Sequence, residues 1–138
     1  MLTFSTSIRV RYGETDQMGF CYYGNYAQFL EVGRVEALRS CGFSYKELES
    51  QGVLLPVRSF SIKYVSPAKY DDILEIQTSI TKIEGTRIEF SYVVKTSEGI
   101  LIANAETELV FVSADSLRPI PMPEKFKKLV QKIDGNNK

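Results

Sequence analysis

The feature that most constrains the fold is a long run of alternating apolar and polar residues in the second half of the chain. Such alternation is typical of half-buried β-strands, because successive side chains point to opposite faces of a sheet. The apolar positions of four predicted strands are Phe60, Ile62 and Tyr64; Leu74, Ile76, Thr78 and Ile80; Ile88, Phe90, Tyr92 and Val94; and Leu101, Ala103, Ala105, Thr107, Leu109 and Phe111. Glu84-Gly85 and Ser97-Glu98-Gly99 provide chain reversals. The pattern predicts antiparallel strands that each have one apolar face.

A single long helix is predicted ahead of these strands. From Asn25 onward apolar residues recur at helical spacing, and Gly42 supplies the end of the helix. Asn25 is the predicted N-cap, and Gly33 leaves a narrow strip that a strand backbone can approach closely. The other predicted elements are a first strand that ends just before Gly13, a short helix over residues 44–51 with a capping box from Ser44 to Glu47, and a basic helix over residues 124–133.

One early helix followed by long one-sided strands predicts an α+β fold in which a curved antiparallel sheet wraps around the helix. With 138 residues, the chain is expected to form one domain over residues 1–138 without help from a metal or a disulfide. One helix cannot cover both faces of the sheet, and a terminal strand leaves an open edge. We therefore expect a homodimer as the minimum assembly, with a homotetramer as the alternative.

The composition excludes several classes of function. Lys plus Arg and Asp plus Glu both number 17, and the chain contains no histidine. Balanced charge without a basic block argues against a nucleic-acid partner, and no apolar run reaches the roughly 20 residues of a membrane span. Cys21 and Cys41 lack the spacing of metal ligands, so we expect free thiols, a cytoplasmic location and no metal. Without an imidazole base, carboxylate chemistry remains.

Asp16 is the strongest candidate for such chemistry, because it lies in a predicted turn just ahead of the long helix. A carboxylate next to the unpaired N–H groups of a helix start can form a catalytic site. The alternative is an Asx turn, in which the aspartate side chain accepts hydrogen bonds from nearby backbone. The residues alone leave both roles open.

A longer motif surrounds Asp16. Its parts are Tyr12-Gly-Glu-Thr-Asp16-Gln-Met-Gly19, Tyr22-Tyr-Gly-Asn-Tyr26 and Glu31, followed by Ser66-Pro67, Tyr70-Asp-Asp-Ile-Leu74 and residues 117–123. This pattern resembles the signature of hotdog-fold acyl-CoA thioesterases of the 4-hydroxybenzoyl-CoA thioesterase and YbgC-like group, and it spans nearly the whole chain. The resemblance implies the hotdog fold and hydrolysis of an acyl-CoA to a free acid and CoA, with no cofactor.

The resemblance also implies roles for individual residues. Asp16 takes the place of the catalytic carboxylate, which either attacks the thioester carbonyl or activates a water. Tyr23 takes the position whose backbone N–H polarises the thioester oxygen, where many YbgC-like members have histidine. Glu31 is the second choice for catalysis, and an ion pair with Arg34 is its alternative role. The expected substrate-binding residues are Gly24, Tyr26, Phe60, Tyr64, Arg87 and Arg118, with Phe29 also lining an acyl channel between subunits.

Other functions on the same fold are weighed against hydrolysis of acyl-CoA. An acyl-carrier-protein thioester is an alternative substrate, because the basic positions that bind the nucleotide in the benzoyl-CoA branch fall on Glu84 and Thr86 here. A hotdog dimer that only binds acyl thioesters is a second alternative. Hydration or dehydration of an acyl thioester usually needs a histidine, and a hydrolase that uses Cys21 or Cys41 lacks its base.

Overall fold

The computed structural model describes residues 1–136, so residues 137–138 of the predicted domain lie outside it. Its helices are α1 (Tyr26–Ser40), α2 (Tyr45–Ser50) and α3 (Lys125–Asn136). Its strands are β1 (Leu2–Arg9), β2 (Val53–Leu54), β3 (Val57–Tyr64), β4 (Ile73–Glu84), β5 (Arg87–Thr96), β6 (Leu101–Val110) and β7 (Val112–Ser113). Two short 3₁₀ turns, Tyr12–Glu14 and Tyr23–Asn25, lie between β1 and α1.

Five strands form one antiparallel sheet in the order β1-β4-β5-β6-β3, and β2 pairs with β7 in a separate two-stranded ribbon. The four predicted strands and the hairpin after Glu84 are confirmed. Helix α1 packs on β1 and β4, while α3 packs on β4 and β1. The predicted α+β arrangement of a long helix against an antiparallel sheet is therefore confirmed, and β3 forms one edge of that sheet.

Gly33 allows α1 to approach the sheet closely, as predicted. A Cβ atom added at this glycine would lie 2.5 Å from Oγ1 of Thr78 and 2.8 Å from Cγ2 of Ile76. Both neighbours belong to β4, and both are fully buried. Any larger residue at this position of α1 would have to push the helix away from the strand.

The beginning of α1 differs from the prediction, whereas its end agrees. The Asn25 side chain does not cap the helix; its Nδ2 atom donates instead to the carbonyl oxygen of Glu14 at 2.8 Å. Gly42 follows the helix with φ +91°, a backbone conformation that favours glycine. The capping box of α2 is half realised, since Oγ of Ser44 accepts the N–H of Glu47 at 3.1 Å.

The first strand is shorter than predicted. It ends at Arg9, and Tyr12 lies in a 3₁₀ turn with 78% of its surface exposed. The reason is a pair of local hydrogen bonds, in which the backbone N–H and the guanidinium of Arg11 donate to the two carboxylate oxygens of Glu14 at 2.7 and 2.9 Å. These bonds favour a turn where the alternation of Val10 and Tyr12 predicted an extended chain.

The predicted apolar face of β3 is not covered within one chain. Phe60 and Tyr64 are 42% and 45% exposed, because β3 is an edge strand and α1 packs mainly on β1 and β4, toward the opposite edge of the sheet. By contrast, the C-terminal helix is well buried on its apolar side, where Phe126 stacks on Phe43 with 4.1 Å between ring centroids. No helix within residues 1–136 has the combined length and apolar character that a membrane crossing demands.

Candidate active site

The loop of residues 15–21 holds Asp16 in a closed turn. The N–H of Asp16 donates to the carbonyl of Phe20 at 2.8 Å, and the N–H of Gly19 donates back to the carbonyl of Asp16 at 3.0 Å. Thr15 and Cys21 form an isolated β-bridge at the base of the loop. The loop backbone therefore fixes where the Asp16 side chain begins.

The two carboxylate oxygens of Asp16 have different surroundings. Oδ1 accepts the N–H of Met18 at 2.9 Å and the N–H of Phe20 at 3.3 Å, which is the Asx-turn arrangement. Within the described chain, Oδ2 makes no hydrogen bond. The structural role thus uses one oxygen and orients the side chain, which leaves the other oxygen available for chemistry.

The loop is tied to the start of α1 through one carbonyl group. The oxygen of Glu14 accepts the N–H of Tyr22 and the side-chain Nδ2 of Asn25, both at 2.8 Å. The Glu14 side chain is itself buried, and its pKa is lowered mainly by the hydrogen bond from the Arg11 guanidinium. The carbonyl group of Glu14 therefore connects the loop that carries Asp16 to the start of α1.

The helix start presents two free donors. The N–H of Asn25 bonds to the carbonyl of Tyr22, and the N–H of Tyr26 bonds to the carbonyl of Tyr23. Among residues 1–136, the N–H groups of Tyr23 and Gly24 have no hydrogen-bond acceptor, and no side chain caps them. Unpaired N–H groups at the positive end of a helix can stabilise an oxyanion.

A cleft of about 310 Å³ joins these parts. Its lining consists of Asp16, Met18, Phe20, Cys21, Tyr23, Tyr26, Tyr64, Val65, Ser66 and Pro67. Four residues predicted for the site, Asp16, Tyr23, Tyr26 and Tyr64, are thus brought together, with Gly24 next to them in the chain. The cleft contains a carboxylate and several hydroxyl groups, and no basic side chain lines it.

Cys21 and Tyr26 contribute neutral groups to the cleft. Burial raises the pKa of the Cys21 thiol to about 11, and the nearby negative charge of Glu14 adds to this increase. Burial also raises the pKa of the Tyr26 hydroxyl. Because a thiol with so high a pKa is a poor nucleophile at neutral pH, Asp16 remains the stronger candidate for a reactive group in the cleft.

The predicted ion pair between Glu31 and Arg34 is wrong. Arg34 is only 7% exposed on the inner side of α1, where its Nε donates to the Tyr45 hydroxyl at 3.3 Å and its Nη1 donates to the Tyr92 hydroxyl at 3.4 Å. Tyrosine hydroxyls of α2 and β5 therefore replace the expected carboxylate. Glu31 itself is exposed on α1 and does not line the cleft.

Three predicted substrate-binding residues lie outside the cleft of a single chain. Phe60 borders a separate surface depression with Ser59 and Ser61. Arg87 lies at the beginning of β5, where its Nη1 is 3.5 Å from Oε1 of Glu108. Arg118 is exposed after β7. Their roles in substrate binding stay predictions.

Several residues that line the cleft were not predicted. The segment after β3 reaches the cleft because the N–H of Cys21 donates to the carbonyl of Ala68 at 2.7 Å and Phe20 bridges to Lys69. This contact brings the preceding residues into the cleft lining, namely Val65, Ser66 and Pro67. Ser66-Pro67 is part of the motif by which the sequence resembles the hotdog thioesterases. That motif was the signal that could have identified these two residues as part of the site.

Comparison with known proteins identifies the family of this chain. A family model described as the thioesterase superfamily matches residues 18–103. The acyl-CoA thioester hydrolase YbgC of Escherichia coli O6:H1 is 36% identical over 121 residues, which cover 88% of this chain and 90% of that protein. A DHNA-CoA thioesterase structure from Staphylococcus aureus is 31% identical, with a TM-score of 0.92 and coverage of 100% and 97%. A 1,4-dihydroxy-2-naphthoyl-CoA thioesterase structure from Synechocystis is 25% identical, with a TM-score of 0.87 and coverage of 96% and 98%.

Proposed function

Because this chain belongs to the thioesterase superfamily and has the hotdog fold of its relatives, we propose that it hydrolyses the thioester bond of an acyl-CoA. The products are a free acid and CoA. One observation carries the proposal: the unbonded Oδ2 of Asp16 and the free N–H of Tyr23 belong to residues that line the same cleft. A thioester between them has an attacking oxygen on one side and a donor to its carbonyl oxygen on the other.

Asp16 acts on the carbonyl carbon in one of two ways. In the first, Oδ2 attacks, the C–S bond breaks, CoA leaves as the thiolate, and water hydrolyses the resulting mixed anhydride. In the second, Oδ2 takes a proton from a water molecule whose oxygen bonds to the same carbon, and the C–S bond breaks so that CoA leaves as the thiolate and the free acid is formed directly. A burst of CoA release that equals the amount of protein and precedes release of the acid supports the anhydride, whereas synchronous release supports the water route.

The N–H groups of Tyr23 and Gly24 stabilise the oxyanion that either route produces. These donors are part of a helix start, so they need no reorganisation as negative charge develops. Their use depends on the backbone and not on the Tyr23 side chain. The absence of histidine at this position therefore leaves this part of the mechanism intact.

A second copy of the chain completes the site in this proposal. Tyr23 is 63% exposed, and Phe60 and Tyr64 of the edge strand β3, with Val65 just after it, are only about half covered within one chain. Pairing through this edge would bury these side chains and close the cleft. The acyl group then lies in a channel between the two subunits.

An acyl-carrier-protein thioester is the second candidate substrate, and the charge of the cleft favours it. CoA carries several negative charges, yet no basic residue lines the cleft, and Arg87 faces Glu108. Arg118 forms no ion pair within residues 1–136 and is the better candidate for a phosphate of CoA. If Arg118→Ala raises KM for acyl-CoA and leaves KM for the carrier thioester unchanged, CoA binds at this residue.

The test of the main proposal is thiol release from aliphatic and aromatic acyl-CoAs and from acyl carrier thioesters. We expect Asp16→Asn to lower kcat/KM by at least ~100-fold, the usual effect of a lost catalytic group. Asp115→Asn, at an exposed loop position away from the cleft, is the matched control and should retain full activity. Equal rates for native protein and Asp16→Asn would refute the role of Asp16. Binding of the thioesters without any hydrolysis would identify a binding module.

A further inference from the structure

Tyr64 lines the cleft, and it also makes a hydrogen bond that a residue lining the cleft does not need. Its hydroxyl donates a hydrogen bond to the carbonyl oxygen of Tyr23 at 3.3 Å, across 41 positions of the chain. The two rings meet edge to face with centroids 6.2 Å apart, and the ring of Tyr26 packs against Tyr64 at 5.3 Å. The end of β3 is thereby joined to the turn that begins α1.

The carbonyl of Tyr23 belongs to the same peptide unit as the N–H of Gly24. It accepts two hydrogen bonds, one from the N–H of Tyr26 and one from the Tyr64 hydroxyl. Because a peptide unit is planar, bonds that hold its carbonyl also hold its N–H. Donation to a carbonyl further polarises the peptide and makes its N–H a better donor.

We propose that Tyr64 is a positioning residue. Its hydroxyl holds the peptide between Tyr23 and Gly24 so that the N–H of Gly24 meets the oxyanion of the reacting thioester. This inference rests on the proposed function. No other side chain of the described residues bonds to that peptide, since the Asn25 amide is directed to Glu14. Tyr64 is fixed in turn by the sheet, where it pairs with Ala103 of β6.

The test compares Tyr64→Phe with Tyr64→Leu. The phenylalanine variant loses only the hydroxyl, so we expect kcat to fall about three- to tenfold, the effect of one neutral hydrogen bond that matters at the transition state. KM and the melting temperature should stay unchanged, as should the shape of the pH profile. The leucine variant should lose at least as much kcat. Tyr70→Phe, which removes a hydroxyl from an exposed ring outside the cleft, is the matched control and should have native kcat.

Two outcomes would overturn the inference. Native kcat in Tyr64→Phe would show that the hydroxyl does not act through the peptide, and a higher KM with native kcat would assign Tyr64 to substrate lining alone. Failure of the proposed function is a separate result, because it requires that native protein releases no thiol or that Asp16→Asn is fully active. The two failures can therefore be told apart in one set of assays.

Discussion

Substitution of Gly33 by alanine tests whether the close contact between α1 and β4 holds the fold together. Alanine is favoured over glycine inside a helix by about 0.8–1.0 kcal/mol, whereas overpacking a buried site costs about 1–3 kcal/mol. The new Cβ would lie 2.5 Å from Oγ1 of Thr78 and 2.8 Å from Cγ2 of Ile76, and both of these short branched side chains are fully buried. We therefore expect the clash to prevail and the free energy of unfolding to fall by up to about 2 kcal/mol.

The assay is chemical unfolding followed by circular dichroism. Gly135→Ala in α3 is the matched control, since a Cβ there meets nothing within 4 Å, and it should be neutral or stabilising. In a double-mutant cycle, Thr78→Ala should recover part of the loss, with a coupling energy of about 1 kcal/mol. Higher stability in Gly33→Ala than in native protein would refute the steric argument, and equal losses with and without Thr78 would refute the identified contact.

Two further predictions concern buried polar groups. Within residues 1–136, Oγ1 of Thr78 is buried without a hydrogen-bond partner, so Thr78→Val should raise the free energy of unfolding by about 1 kcal/mol, whereas Thr107→Val, which removes a 2.7 Å bond to Tyr92, should lower it. A loss in both variants would contradict this assignment. Because Arg11 lowers the pKa of Glu14, the stability from this pair is complete above the unfolded pKa and disappears as the pH falls through the folded pKa. Unfolding curves of native protein and Glu14→Gln should therefore differ at neutral pH and converge in acid, and a constant difference would exclude the linkage.

Local periodicity was enough to predict the main elements of the fold. Alternation identified β3 to β6, and helical spacing identified α1 with Gly33 facing the sheet. Periodicity reports which residues share a face, but it does not report what covers that face. For this reason the alternation in β3 did not by itself predict that Phe60 and Tyr64, on this edge strand, are exposed within one chain.

The errors have a common cause in side chains that bond to distant or unexpected partners. Asn25 was predicted to cap α1 and bonds instead to the carbonyl of Glu14, while Arg34 bonds to two tyrosines and not to Glu31. Sequence spacing favours partners three or four positions away, whereas tertiary packing brought acceptors from a loop, from α2 and from β5. Asp16 was identifiable through the motif, but the contact of Tyr64 with Tyr23 depends on the pairing of β3 with β6.

The carbonyl oxygen of Glu14, which accepts two hydrogen bonds, has a consequence for how substrate preference can change. A single oxygen atom links the segment that carries Asp16 to the segment that begins α1 and carries the free N–H groups. We therefore expect that both segments move together when neighbouring apolar residues are exchanged for larger or smaller ones. Under the proposed function, acyl groups of a new shape can then be accommodated by repacking the cleft walls while the carboxylate of Asp16 and the helix-start N–H groups keep their spacing.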